Sequence, residues 1–167
     1  MGKRVINVCF FFLENLSVGA WVGALVTFGF AVARPVFRSL PSVTTAGGIT
    51  ADILHRINTL ETAAAAALAV SALVFLVQPQ QRTPVRFAKT ALAVLMIAGF
   101  YYYGTVIMER MEHLRLVEIR DFDRFDAATA AFRDEFDRLH RLYTRLAQAN
   151  VWLGLGFLFL SAWERRS

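Results

Sequence analysis

At 167 residues, 56% of them hydrophobic and 19% charged, the chain is more apolar than a typical soluble domain and has room for one compact bundle. Its net charge of +5 does not imply nucleic acid, because the basic residues flank apolar stretches and form no solvated basic face. The single cysteine, Cys9, excludes an internal disulfide and a CxxC metal pair. It lies in an apolar run, where a buried, inert thiol is expected.

Four apolar stretches follow one another, each a candidate for a bilayer core of about 30 Å, which needs about 20 helical residues. They set the expected fold class: an all-α integral membrane four-helix bundle, with spans near 5–33, 57–78, 87–108 and 143–163. The first begins Met-Gly-Lys-Arg, yet its apolar pattern continues to Ala33, too long for an excised leader. It reads as a retained helix that ends near Arg34-Pro35, since the residue before a proline is pushed out of the α region. Within it, Gly19 and Gly23 form a GxxxG that suits close packing inside the bundle, or else a homo-oligomer face.

The turn-like run Ser39–Gly48 separates this span from a second helix starting near Ile49–Ala51. The short polar link Gln78–Pro84 makes helices two and three antiparallel neighbours. Helix three ends in the charged run Glu109–Arg115. From Phe122 through Phe125, Thr129, Phe132, Phe136, Leu139, Tyr143 and Leu146 to Asn150, residues three and four apart form a seam along one helix. Segment 109–142 therefore reads as an amphipathic, extramembrane helical hairpin that continues into the last span. Its alternating charges form a solvated face, which a partner protein would also suit. Four spans put both termini on one side, and the positive-inside rule applied to the short terminal-side segments makes that side the cytoplasm of a bacterial inner membrane.

The runs PVFRSLPSVTTAGG (Pro35–Gly48), HRINTLE (His55–Glu61), IMERMEHLR (Ile107–Arg115) and FDRLH (Phe136–His140), together with Trp21 and Gly23, carry a resemblance across nearly the whole chain. In their order and spacing they resemble the four-helix membrane family catalogued as domain of unknown function 4149, related to the eukaryotic transmembrane protein 205 group. The family is distantly similar to membrane proteins linked to copper uptake and haem handling, and the resemblance brings no established activity. One departure stands out. Seven positions after the histidine of the last span the family usually has asparagine; here Ala147 follows His140, and the nearest asparagine is Asn150.

An ionisable group inside a span costs at least ~2.5 kcal/mol, so each needs a partner or a purpose. Glu14, two turns into the first stretch, either pairs with Lys89 or carries a proton or cation. A second group gathers toward the hairpin: His55, Asn58 and Glu61 from helix two, and His140, Tyr143 and Asn150 from helix four. Two imidazoles from facing helices could ligate haem iron or a transition metal, with Glu61 or Tyr143 behind them. A His–Glu pair with Asn and Tyr could instead form a polar cavity for ion or proton-coupled transport. A salt-bridged scaffold with no ligand is the third reading. Tyr101, Tyr102 and Tyr103 read by default as packing residues. With no nucleophile–base constellation, the sequence gives no warrant for an enzyme.

Overall fold

The computed structural model describes residues 2–77 and 83–164, with side chains from Val5 to Phe75 and from Thr83 to Glu164. These residues form four long helical rods, all apolar and long enough to cross a membrane, and no strand. The chain is a four-helix membrane bundle. The first rod comprises α1 (Gly2–Thr27), a π-helical segment Phe28–Ala33 and α2 (Arg34–Ser39). The second is α3 (Val43–Val77). The third runs through α4 (Pro84–Tyr101), a π segment Tyr102–Ile107, α5 (Met108–His113) and a π segment Leu114–Ile119. The fourth is a 3₁₀ turn, Ala127–Thr129, leading into α6 (Ala130–Glu164). Each rod packs on its chain neighbour, and α6 closes the ring against α1.

Several boundaries differ from the sequence expectation. The first rod does not stop at Arg34-Pro35 but continues to Ser39. A proline inside an α-helix clashes with the carbonyl four residues back. Here Pro35 opens α2 directly after a π turn, whose wider register absorbs the ring. Rod two starts at Val43, earlier than expected, because its first turn is capped: Ser42 Oγ accepts from the Thr45 amide at 3.0 Å. The expected seam of rod four begins too early. Residues 120–126 are irregular, and Phe125 stands 79% exposed. Asp126 caps the turn at Ala127–Thr129 instead, accepting from the Ala128 amide at 2.9 Å. From Phe132 onward the seam holds, with Tyr143 and Asn150 buried. Most of the Gln78–Pro84 link lies outside the described residues; at its end, Thr83 caps α4 and Pro84 occupies the first helical turn.

The core is one column of buried side chains, including Val18, Trp21, Leu68, Met96, Phe100, Tyr103, Ile107 and Phe157. Gly154 brings α6 close to α1, since a Cβ there would collide with Val22 Cγ2 and stand 3.4 Å from Met96 Cε. Gly19 and Gly23 do not serve this purpose. They face outward with nothing within 4 Å of a built Cβ, so the close packing expected inside the bundle is made at Gly154. Cys9 is likewise exposed rather than buried.

The ends of the bundle are tied differently. At the terminal end, Lys89 Nζ lies 3.1 Å from Glu14 and 3.0 Å from Glu164, while Arg86 Nε lies 2.7 Å from Glu164. This lock joins α1, α4 and α6, with Lys89 between the rings of Phe11 and Phe157. It places Glu14, the start of rod three and the end of rod four together, so the first and last rods meet at one end. At the opposite end, Asp123 accepts from Ser42 Oγ and the Val43 amide, both at 2.6 Å, and Arg133 bonds the carbonyls of Asp121, Phe122 and Arg124. The loop after rod three thus caps the start of rod two. All four rods reach this end.

Candidate functional site

Glu61 lies 18 residues from the start of α3 and 16 from its end, and is 0% exposed. Its Oε1 accepts a short hydrogen bond from the Tyr103 hydroxyl, and its Oε2 has no partner. Tyr103, also 0% exposed, comes from the π segment of rod three; its oxygen accepts from Asn150 Nδ2 of α6 at 3.2 Å. The same amide nitrogen reaches the Met96 carbonyl at 3.1 Å. Asn150 approaches so closely because Gly99 faces it: a Cβ there would lie 3.3 Å from Asn150 Oδ1. From α1, the buried Trp21 indole N–H is directed at the Glu61–Tyr103 pair, beyond hydrogen-bond geometry and with no other partner. All four rods therefore contribute to one carboxyl group.

Aromatic rings wall the site. Trp21, Phe100, Tyr103 and Tyr143 meet edge to face in succession, with centroids 5.2–5.7 Å apart. The Tyr143 hydroxyl is buried without a partner. One turn from Glu61 on α3, Asn58 donates to the Gly104 carbonyl at 3.1 Å, while its own Oδ1 is unpartnered. Gly104 lies in the π segment, and a π turn does not commit every carbonyl to the α-helical ladder. The unusual winding of rod three thus both aims Tyr103 and supplies an acceptor to Asn58. Among buried groups, unpartnered polar atoms are uncommon and call for an explanation. Here Glu61 Oε2, Asn58 Oδ1, Tyr143 Oη and Trp21 Nε1 come from three rods packed around one centre.

Of the residues singled out from sequence, Glu61, Asn58, Tyr143 and Asn150 converge. The histidines do not join them. His55 is half-exposed, its Nε2 3.2 Å from Glu112 Oε2 of α5. His140 is exposed and stacks on Phe136 of its own helix, the rings 6° from parallel. Among the described residues no group of three His, Cys, Asp or Glu side chains is placed to hold a metal ion. Glu14 sits at the terminal end, in the lock with Lys89. Tyr103 and Trp21 are the members that sequence reasoning did not assign to the site. Trp21 carried a signal, because Glu14, Ser17 and Trp21 share a helical face and all are buried. Tyr103 carried none, as the phase of a π turn is invisible in residue spacing. A separate open groove of about 970 Å³, lined by Val8, Phe12, Leu158 and Ala162 among others, lies between α1 and α6 at the terminal end. Its walls are almost wholly apolar, so it offers no comparable chemistry.

Residues 16–116 match the model of a domain of unknown function, DUF4149. That stretch covers more than half of the chain, and the protein belongs to this family. No curated protein and no solved structure matched.

Proposed function

We propose that this member of the DUF4149 family binds a small cation or protonated ligand at the Glu61 carboxyl, in a handling or transport role rather than as an enzyme. The observation that carries the reading is Glu61 Oε2, a fully buried carboxyl oxygen without a partner in the core of a membrane bundle. A buried polar group left bare costs about 1–3 kcal/mol, and more when charged. An ionisable residue within a membrane bundle is by default a functional one. A scaffold would pack a leucine or methionine here without that cost. The basic residues near the short terminal-side segments support cytoplasmic termini.

Trp21 offers the test. In a Trp152→Phe/Trp163→Phe variant it is the sole indole, and both replaced residues are exposed. The purified variant in detergent is titrated in turn with acid, sodium chloride and zinc chloride. A saturable change in Trp21 emission with one of them, abolished by Glu61→Gln, is expected. A flat response to all three supports the ligand-free scaffold.

A further inference from the structure

We infer that the occupant of the Glu61 site is a proton, and that it is exchanged with water at the hairpin end of the bundle only, along the seam between rods two and three. This rests on the binding reading above and names its ligand and its side of entry.

The donor set selects the proton. Glu61 Oε1 is taken by the Tyr103 hydroxyl, and the Trp21 N–H is turned toward the same pair. An indole N–H donates hydrogen bonds and offers no lone pair to a metal. The groups facing Glu61 are Trp21 from α1, Tyr103 from rod three, and Tyr143 and Asn150 from α6, with no second carboxylate and no imidazole among them. A divalent ion would need several oxygen or nitrogen ligands. One bare carboxyl oxygen suits the smallest cation.

The seam gives the direction. Toward the hairpin, α3 presents Glu61, Asn58 and His55 at successive turns, about 4.5 Å apart along the axis. Each meets a polar group of rod three: Tyr103, the Gly104 carbonyl and Glu112. The series ends at the His55–Glu112 pair, with Arg115 3.8 Å from the same carboxylate, and the histidine side chain is 49% exposed. The route needs one bridging water in each one-turn gap, a span that a single water between two polar groups can cover. The first exposed charges on this side, Arg56 on rod two and Glu109 on rod three, lie only five and six residues from Glu61 and Tyr103. Toward the termini the same seam is nearly filled: a cavity of only about 10 Å³ beside Glu14 and Lys89 reaches α3 at Leu68, seven residues from Glu61. Leu68, Phe75, Ala93 and Met96 are buried there, and Phe75 meets Phe87 edge-on. Ser71 interrupts this stretch with a hydroxyl that bonds nothing, and the next charges are Arg86 and Lys89, already paired with Glu14 and Glu164. In the exchange a proton from hairpin-side water ends on Glu61 Oε2 and returns by the same path, so the site's charge changes by one and nothing else is consumed.

The single-indole variant is reconstituted into sealed vesicles, and its orientation is read by protease cleavage of the hairpin. A pH step is then applied to one face at a time while Trp21 emission is followed. The inference expects a response to the hairpin-side step alone, absent in Glu61→Gln. Proton transfer through a positioned side chain is worth about 10²–10⁴-fold. His55→Gln, at an exposed position, is therefore expected to slow the response by about tenfold or more with its amplitude kept. An equal response to a terminal-side step, or an unchanged rate in His55→Gln, overturns the route and leaves the binding reading standing. A response to sodium or zinc but not to acid in detergent replaces the proton with a metal ion. A response that survives in Glu61→Gln, or none under any condition, overturns both.

Discussion

Tyr103 and Glu61 satisfy one another in a place where water does not. Tyr103→Phe removes the donor to Glu61 Oε1 and leaves the carboxyl bare on both oxygens, so it is expected to destabilise the bundle by about 1–3 kcal/mol. Thermal unfolding in detergent measures this. Added to Glu61→Gln, the same substitution is expected to cost less, because the two residues share one hydrogen bond and their effects do not add. Equal costs in both backgrounds would mean that the short bond contributes nothing. At this scale the sequence was informative about type and poor about partners. Glu61, Asn58, Tyr143 and Asn150 were legible as polar residues on inward helical faces. That they meet Tyr103 depends on the π segment Tyr102–Ile107, which shifts the face of rod three without any mark in the spacing. That His55 and His140 turn outward depends on how α3 and α6 are rotated in the bundle, which residue type alone does not reveal.

Between elements, close contact and ion pairing do separate jobs. Gly154→Val would push against Val22 Cγ2 and Met96, and overpacking of this kind costs about 1–3 kcal/mol. Gly19→Ala and Gly23→Ala meet open space and are expected to leave the melting temperature of the monomer unchanged, although the GxxxG was the more conspicuous motif. Sequence shows that a small residue is present, but not which neighbour, if any, comes near it. Lys89→Met removes the nearer cation from Glu14, which keeps only Arg86 at 3.7 Å, and leaves Glu164 to Arg86 alone. Breaking a buried pair from one side costs about 3–5 kcal/mol, whereas Glu14→Gln with Lys89→Met together should cost less. At the other end, the hydrogen bonds from Ser42, Val43 and Thr44 hold the Asp123 carboxyl below the usual carboxylate range. A carboxyl depressed in the folded state stabilises it above its unfolded pKa, about 3.9, and that stability is lost as pH falls through the lower, folded value. Protection of the Val43 and Thr44 amides, taken as exchange relative to the unfolded chain at the same pH, should therefore hold at neutral pH and fall as the pH drops below about 4. Asp123→Asn should remove that dependence, and protection that ignores pH in the natural protein would count against the cap.

For the whole molecule, apolar length and the spacing of charged runs were enough to read four rods and both termini at one end. The reach of the bundle was not, because Pro35 and the polar run Ser39–Gly48 look like breaks when read alone. A π turn and a cap from a distant loop carry helix through or up to both. The same long-range closure brings four rods to one carboxyl at mid-bundle. The most direct check on that claim is the infrared spectrum of the protein in lipid, recorded across pH for the natural chain and for Glu61→Gln. The account predicts a carboxyl stretching band that gains and loses intensity with pH and is missing from the variant. Indistinguishable pH-difference spectra would contradict it.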